Sequence, residues 1–232
     1  MSSLNALVTG ASSGIGFEAC QYLLEEGYTV FGASRSGSPL EHENYIDIEI
    51  DIRRDSEVRE LFSEISEQIE GGIHLVVQCA GVFDACPLVD MESKGFRDHL
   101  DTNVLGAFHI FKHIDDLLIE NETHFVTLLS VASQKGFPNV SAYCASKFAL
   151  KGLVDSLKEE WKPKKVRFTN LFPGPIDTPM WDDVMDEFSE YDRGSMLNLD
   201  DFISVFDMII KSAPHIQFPD VTFLHESGGL EP

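Results

Sequence analysis

A tyrosine and a lysine four residues apart, Tyr143 and Lys147, lie in the stretch Ser141-Ala142-Tyr143-Cys144-Ala145-Ser146-Lys147. Ala142, Ala145, Ala149 and Leu150 recur there at helical spacing, and Ser141 can cap the first turn. The spacing therefore predicts a helix carrying Tyr143 and Lys147 side by side on one face. A phenol with its ordinary pKa of about 10 is a poor acid–base catalyst at neutral pH. A lysine ammonium about 4 Å away is worth roughly 4 kcal/mol at an effective dielectric of about 20, or about three pK units. Such a charge would bring Tyr143 to about 7, where it can give a proton to an oxygen or take one from it. Ser130 ends the apolar run Phe125-Val126-Thr127-Leu128-Leu129, and a hydroxyl at that strand end can hold the same oxygen. A Tyr-x-x-x-Lys pair by itself is most often a plain helix face, so its meaning depends on what surrounds it.

The elements that must position these groups begin at residues 4–8, a short buried strand. It runs into Thr9-Gly10-Ala11-Ser12-Ser13-Gly14-Ile15-Gly16, and then into a helix with Ile15, Ala19 and Leu23 on one face. A glycine-rich turn between strand and helix lets backbone approach a pyrophosphate, and the helix N-terminus offers it free N–H groups. The next strand, residues 28–33, ends in Ser34-Arg35-Ser36. A dinucleotide fold places its contact to the adenosine ribose there, where an acid would accept from the 2′-hydroxyl of NAD. No acid appears before Glu41, and Arg35 suits a 2′-phosphate, so NADP(H) is preferred over NAD(H). An ordinary surface arginine is the plain alternative.

A third strand, residues 45–50, leads to Asp51 and Ile52. Val58, Leu61, Phe62, Ile65 and Ile69 mark an amphipathic helix closed by Gly71-Gly72. Residues 73–79 form a fourth, nearly all-apolar strand, followed by Ala80-Gly81, where small residues let backbone lie against a cofactor. A long helical region over residues 93–119 carries Asn103 amid Leu100, Val104, Ala107 and Phe111, and that amide needs a partner, structural or catalytic. The fifth strand is residues 125–129 and the sixth residues 165–172. The sixth breaks at Pro173-Gly174-Pro175-Ile176-Asp177-Thr178-Pro179, a rigid loop. Trp181, Met185 and Phe188 follow in an acid-rich flap, then a helix with Phe202, Val205, Phe206 and Ile209 inward, and a last strand at 221–224. Strands alternating with helices predict an α/β class: a single-domain Rossmann fold over residues 1–232, a doubly wound parallel sheet of about seven strands with helices on both faces. A small substrate loop is expected at about 175–198. Ligands of such sheets sit beyond the strand C-termini, where the glycine turn, Arg35, Ala80-Gly81, Ser130 and the proline loop all fall.

Composition narrows the partners. The chain has 232 residues and 43% hydrophobic side chains, enough for one sizeable core. A formal net charge of −22 argues against nucleic-acid and anionic-membrane partners, because no excess of cations exists to release counterions. No apolar run approaches the roughly 18 residues that span a bilayer, and Met1-Ser2-Ser3-Leu4-Asn5 lacks the basic and apolar regions of a signal peptide. Cys20, Cys79, Cys86 and Cys144 show no C-x-x-C spacing, so reduced thiols in a cytoplasmic protein are expected, with neither metal site nor disulfide.

With these residues assembled, the chain resembles the short-chain dehydrogenase/reductase family over essentially its whole length. Thr9-Gly10-x-x-x-Gly14-x-Gly16 is similar to its cofactor motif and Tyr143-x-x-x-Lys147 to its catalytic pair. Ser130, Asn103 and Pro173-Gly174 with Thr178 stand where the family keeps a catalytic serine, an asparagine and a loop over the nicotinamide. The resemblance implies hydride transfer between NAD(P) and a carbonyl or alcohol. Tyr143 would be the general acid or base, Ser130 would steady the substrate oxygen, and Lys147 would lower the tyrosine pKa and bind the nicotinamide ribose. Asn103 would hold a water that relays protons to Lys147, Asp51 would lie near the adenine, and Ile176 and Thr178 near the carboxamide. Two departures stand out: Gln78-Cys79-Ala80-Gly81 replaces Asn-Asn-Ala-Gly, and Ser133 occupies a position where glycine is frequent.

Many members of the family reduce 3-oxoacyl thioesters on an acidic carrier protein. Here the corresponding stretch reads Asp115-Asp116-Leu117-Leu118-Ile119-Glu120-Asn121-Glu122, whose charge would repel such a partner. A small free carbonyl compound or alcohol ranks above that substrate class. Phe83, Phe137, Cys144, Trp181 and Met185 are candidate pocket walls and suggest an apolar or aromatic substrate. A non-catalytic NADP-binding redox sensor or scaffold is the alternative function, against which the complete Ser/Tyr/Lys/Asn set speaks. Pairing of the helices around Asn103 and Tyr143 between subunits, as the resemblance implies, would give a homodimer or homotetramer.

Overall fold

The computed structural model describes residues 4–182, 184 and 193–227. Its seven strands are β1 (Leu4–Thr9), β2 (Tyr28–Ser34), β3 (Tyr45–Glu49), β4 (Leu75–Gln78), β5 (His124–Leu128), β6 (Arg167–Pro173) and β7 (Asp220–Phe223). They form one sheet in the order β3-β2-β1-β4-β5-β6-β7, with every pair parallel. This is a single-domain Rossmann-like fold. The chain winds outward from β1 to β3, then crosses to β4 on the opposite side of β1. The strand order therefore reverses between β1 and β4, where Thr9 pairs with Gln78, and a crevice opens beyond their C-terminal ends.

Parallel strands must be covered on both faces, and the continuous apolar runs supply both. On one face, Leu7, Phe31, Val76 and Phe125 pack against α2 (Asp55–Gln68), α4 (Ala107–His113) and α5 (Ser141–Glu160). On the other, Ala6, Val8, Val77 and Val126 pack against α1 (Gly14–Glu25) and α6 (Leu199–Ile210). Phe125 anchors the first layer, stacked on Phe168 at 4.9 Å, and a side chain so buried contributes roughly 1.5–3 kcal/mol. A capping box between Asn198 and Asp201 fixes the start of α6.

Three local expectations are corrected. The helical region predicted over residues 93–119 is α3 (Ser93–Leu100), a π-helical segment (Asp101–Gly106) and α4, and the continuous helix stops at His113. Leu117 turns away to accept a hydrogen bond from the Ile73 N–H, and Leu118 bridges Ile73, so the chain is already feeding the sheet. The acids Asp115 and Asp116 would also face an unfavourable dipole at a helix C-terminus. Ser141 does not cap α5: Val140 holds the N-cap position without a side-chain bond, and the Ser141 hydroxyl is buried without a partner. Of the residues at helical spacing, Ala142 and Leu150 are buried, whereas Ala149 is exposed beside Phe148. Strand ends differ from expectation by one or two residues. Residues 73 and 79, for example, fall outside β4.

No described helix is long and apolar enough to cross a membrane. All four cysteines are free thiols.

Candidate active site

The turn after β1 depends on glycine at two points. Gly10 has φ +73°, and a Cβ built on it would stand 2.9 Å from the Ala80 backbone. A Cβ on Gly16 would stand 2.2 Å from the Gly10 carbonyl oxygen, so only a bare Cα lets α1 start this close to β1. Thr9 lies beneath the turn, fully buried, its hydroxyl accepting from the Ala80 N–H at 3.2 Å. Ser13 is the N-cap of α1 but makes no side-chain cap bond, so Ser12, Ser13 and the first N–H groups of the helix face the cleft together.

At the end of β2, Ser34 is buried with a hydroxyl that has no partner, and exposed Arg35 follows it. Beside them, beyond the end of the neighbouring strand β3, Asp51 is gripped by Arg53 through Nε at 2.9 Å and a terminal guanidinium nitrogen at 2.6 Å. Those hydrogen bonds hold the Asp51 carboxyl below the usual range. Ile52 is buried, and its carbonyl meets Nδ1 of His109 at 2.8 Å. The orphaned Ser34 hydroxyl and the glycine cradle fit a dinucleotide: the polar atoms lining this half still require a polar ligand.

At the ends of β4 and β5 the catalytic candidates meet. Ser130 caps a short 3₁₀ turn (Val131–Ser133), its Oγ accepting from the Ala132 N–H at 3.1 Å. Half-buried Tyr143 faces the cleft, and Lys147, one turn on, is buried. Lys147 Nζ donates to the Leu128 carbonyl at 2.8 Å and stands 5.6 Å from the centre of the Tyr143 ring. Burial pushes the Tyr143 phenol up to about 12, with a hydrogen bond to Ser130 working against it. Burial brings Lys147 down to about 8. The expected Tyr143 pKa of about 7 is therefore corrected. Enclosure disfavours both ions, and one of the ammonium's three N–H groups goes to a carbonyl that holds it in place.

Asn103 and Thr9 stand behind the cleft wall, outside its lining. Asn103 Oδ1 accepts from the Val82 N–H at 2.7 Å, and its Nδ2 donates to the Val82 carbonyl at 3.0 Å and to Ser146 Oγ at 2.9 Å. Ser146 in turn donates to the Tyr143 carbonyl at 2.7 Å, so Asn103 is tied to the backbone of the tyrosine. Ser133 is buried and also lies outside the lining.

The remaining wall is the proline loop. Pro173, Gly174, Ile176 and Thr178 line it, and Thr178 approaches to 3.5 Å of where a Gly14 Cβ would sit. The loop's base is closed by Asp177 N–H to Leu197 O at 2.8 Å and Leu197 N–H to Pro175 O at 2.9 Å. Phe83, Phe137 and Trp181 line the cleft beside Tyr143, while Cys144 packs behind them in the same apolar cluster. Met185 and Phe188 lie outside the described residues. All the other predicted site residues, from Gly10, Ile15 and Ala80-Gly81 to Lys147, line one continuous cleft. Sequence reasoning missed Arg53 and Ser146. A polar residue one turn from Tyr143 on the buried face was the available signal for Ser146, whereas the Arg53–Asp51 pair had none.

Residues 4–188 match the family model described as short chain dehydrogenase. A 3-amino-tetrahydro-pyrrolizinone reductase of Xenorhabdus hominickii is 31% identical over 185 residues, 78% of this chain. The match spans 65% of that curated relative's own length. Among solved structures, a short chain dehydrogenase from Burkholderia cenocepacia J2315 in complex with NADP superposes with TM-score 0.82 at 22% identity, covering 96% of this chain and 88% of that one. A 4-hydroxyisoleucine dehydrogenase complexed with NADH gives TM-score 0.78 at 22% identity, covering 98% of each chain. The match over residues 4–188, on a sheet whose crevice holds the glycine turn and the Ser130, Tyr143 and Lys147 side chains, places this chain in the short-chain dehydrogenase/reductase family.

Proposed function

We propose that this chain is an NADP(H)-dependent oxidoreductase that interconverts a carbonyl compound and an alcohol. The observation that carries this reading is the meeting, in one cleft, of a dinucleotide-type glycine turn with a phenol, a hydroxyl and a buried lysine. The turn from Gly10 to Gly16 with Ser12 and Ser13 would take the pyrophosphate, Asp51 and Ile52 would border the adenine, and Ile176 and Thr178 would border the nicotinamide. The bound cofactor supplies or accepts the hydride. Ser130 holds the substrate oxygen by a hydrogen bond, and Tyr143 gives that oxygen its proton. With its pKa raised to about 12 by burial the phenol holds its proton at neutral pH, and giving that proton up depends on a nearby positive charge to offset the rise as the phenolate forms. Lys147, charged below about 8, stabilises the phenolate left behind.

NADP(H) is favoured because Arg53 already neutralises Asp51, leaving Arg35 and the unpartnered Ser34 hydroxyl for a 2′-phosphate. The segment 175–198, closed at its base by Asp177 and Leu197, is read as the substrate loop. Exposed Leu105, Phe108 and Phe148, at 39, 41 and 46% accessibility, support pairing of two copies through the neighbouring helices.

Tyr143→Phe tests the reading. NADPH binding should persist while carbonyl reduction falls about 10²-fold or more. Unchanged turnover would remove Tyr143 from the chemistry, and wild-type cofactor binding without any turnover would favour a non-catalytic sensor.

A further inference from the structure

The cleft's charges are unevenly placed. Among its described lining residues only Arg35, Asp51 and Lys147 have side chains that ordinarily carry a charge at neutral pH. The first two follow β2 and β3, away from Tyr143, and Lys147 is held on the Leu128 carbonyl. The wall beside Tyr143 is aromatic and apolar. The Phe83 ring stands edge-on to Tyr143, centroids 4.8 Å apart at 82°, and meets Trp181 at 5.0 Å and 52°. Ala132, Val140 and Phe137 continue that wall. Two flanking cations are engaged: Lys135 sits over the Phe137 ring at 5.1 Å, and Arg193 pairs with both Asp177 and Asp182.

We propose that the substrate is an uncharged aromatic ketone or aldehyde whose ring is received by Phe83 and Trp181, and that these two residues set specificity. The proposal rests on the oxidoreductase reading above and names its substrate class. In the reaction, the carbonyl carbon gains a hydride from the reduced cofactor and its oxygen gains the Tyr143 proton, giving a neutral alcohol and the oxidised cofactor. An aromatic ring meets the edges and faces that aromatic side chains prefer. A carboxylate or phosphate on the substrate would be stripped of water against this wall, among whose described lining residues no cation stands to receive it. Polyhydroxylated sugars would leave their hydroxyls unpaired there.

The test compares kcat/KM for acetophenone, 4-acetylbenzoate and an aldohexose with NADPH, together with quenching of Trp181 fluorescence by 1-phenylethanol in a Trp161→Phe background. Acetophenone should exceed 4-acetylbenzoate by about 100-fold or more. Phe83→Leu and the milder Trp181→Phe should each raise KM for acetophenone several-fold while NADPH affinity stays unchanged. Quenching should survive in Tyr143→Phe. Equal or better turnover of the carboxylated ketone or the sugar would overturn the proposal and leave the oxidoreductase reading intact. Quenching by 1-phenylethanol with no carbonyl reduced would keep the aromatic site and overturn the oxidoreductase reading instead. Absence of quenching would overturn the aromatic site itself.

Discussion

Lys147 donates one of its three ammonium hydrogens to the carbonyl of Leu128 at 2.8 Å, so β5 rather than the phenol of Tyr143 fixes where this buried charge sits. Desolvation there brings the lysine down to about 8. Tyr143 needs no deprotonation to act as an acid, so the titration that limits reduction is the loss of the Lys147 charge. Reductive kcat/KM should be flat below about pH 8 and fall as pH rises through it. Lys147→Arg, which cannot lose its charge in that range, should remove the fall even where it lowers the plateau. A pH–rate profile unchanged by Lys147→Arg would refute the assignment.

The same desolvation has a stability counterpart. A lysine with its folded pKa depressed from 10.5 to about 8 penalises the fold wherever it is charged, and the penalty is relieved as pH rises from about 8 to 10.5. Removing the charge recovers roughly 3 kcal/mol, and leaving the Leu128 carbonyl unpaired costs about 1–2 kcal/mol. Lys147→Met is therefore expected to be about 1–2 kcal/mol more stable than the parent at pH 7 while losing most turnover. Denaturant melts at pH 7 and pH 10 measure it, and the gain should shrink at the higher pH.

Cofactor choice should follow Arg35. Arg35→Ala is expected to weaken NADPH about 10–100-fold, the loss of one or two charge-assisted hydrogen bonds, and to leave NADH within about threefold. Dissociation constants for both cofactors by fluorescence titration decide it. Equal losses for the two would move the 2′-phosphate elsewhere.

Gly16 tolerates no side chain, because its Cβ would sit 2.2 Å from the Gly10 carbonyl oxygen, within backbone that cannot yield cheaply. Gly16→Ala should cost more than about 2 kcal/mol and abolish cofactor binding. Gly136, whose added Cβ meets nothing within 4 Å, supplies the control: Gly136→Ala should stay within about 0.5 kcal/mol of the parent. Urea midpoints of the two variants carry the comparison.

Asn103 should prove a positioning residue through Ser146. Asn103→Ala leaves both backbone groups of Val82 without their amide partner and should cost about 2–4 kcal/mol. Because Ser146 bonds the Tyr143 carbonyl, kcat should drop more than NADPH affinity. A variant as stable as the parent, with a proportionate loss in cofactor binding, would contradict this.

Much of this protein is legible in the order of its residues. Glycines at 10, 14 and 16 between an apolar strand and a helix mark a tight strand-to-helix turn, in which positive φ at Gly10 and Gly14 and the 2.2 Å approach at Gly16 disfavour side chains. Alternating apolar strands and amphipathic helices dictate a parallel sheet buried on both faces. The four-residue spacing of Tyr143 and Lys147 puts them on one helical face whatever the rest of the chain does. The tertiary structure decided what those groups touch. It turned Lys147 toward Leu128, engaged Asp51 with Arg53, ended the helix at His113 where Leu117 joins Ile73, put Val140 rather than Ser141 at the N-cap of α5, and set Trp181 against Phe83. Spacing along a chain fixes direction and face, since both follow from backbone geometry. Desolvation and hydrogen-bond choice depend on which distant atoms close around a group, and no local pattern in the sequence encodes them.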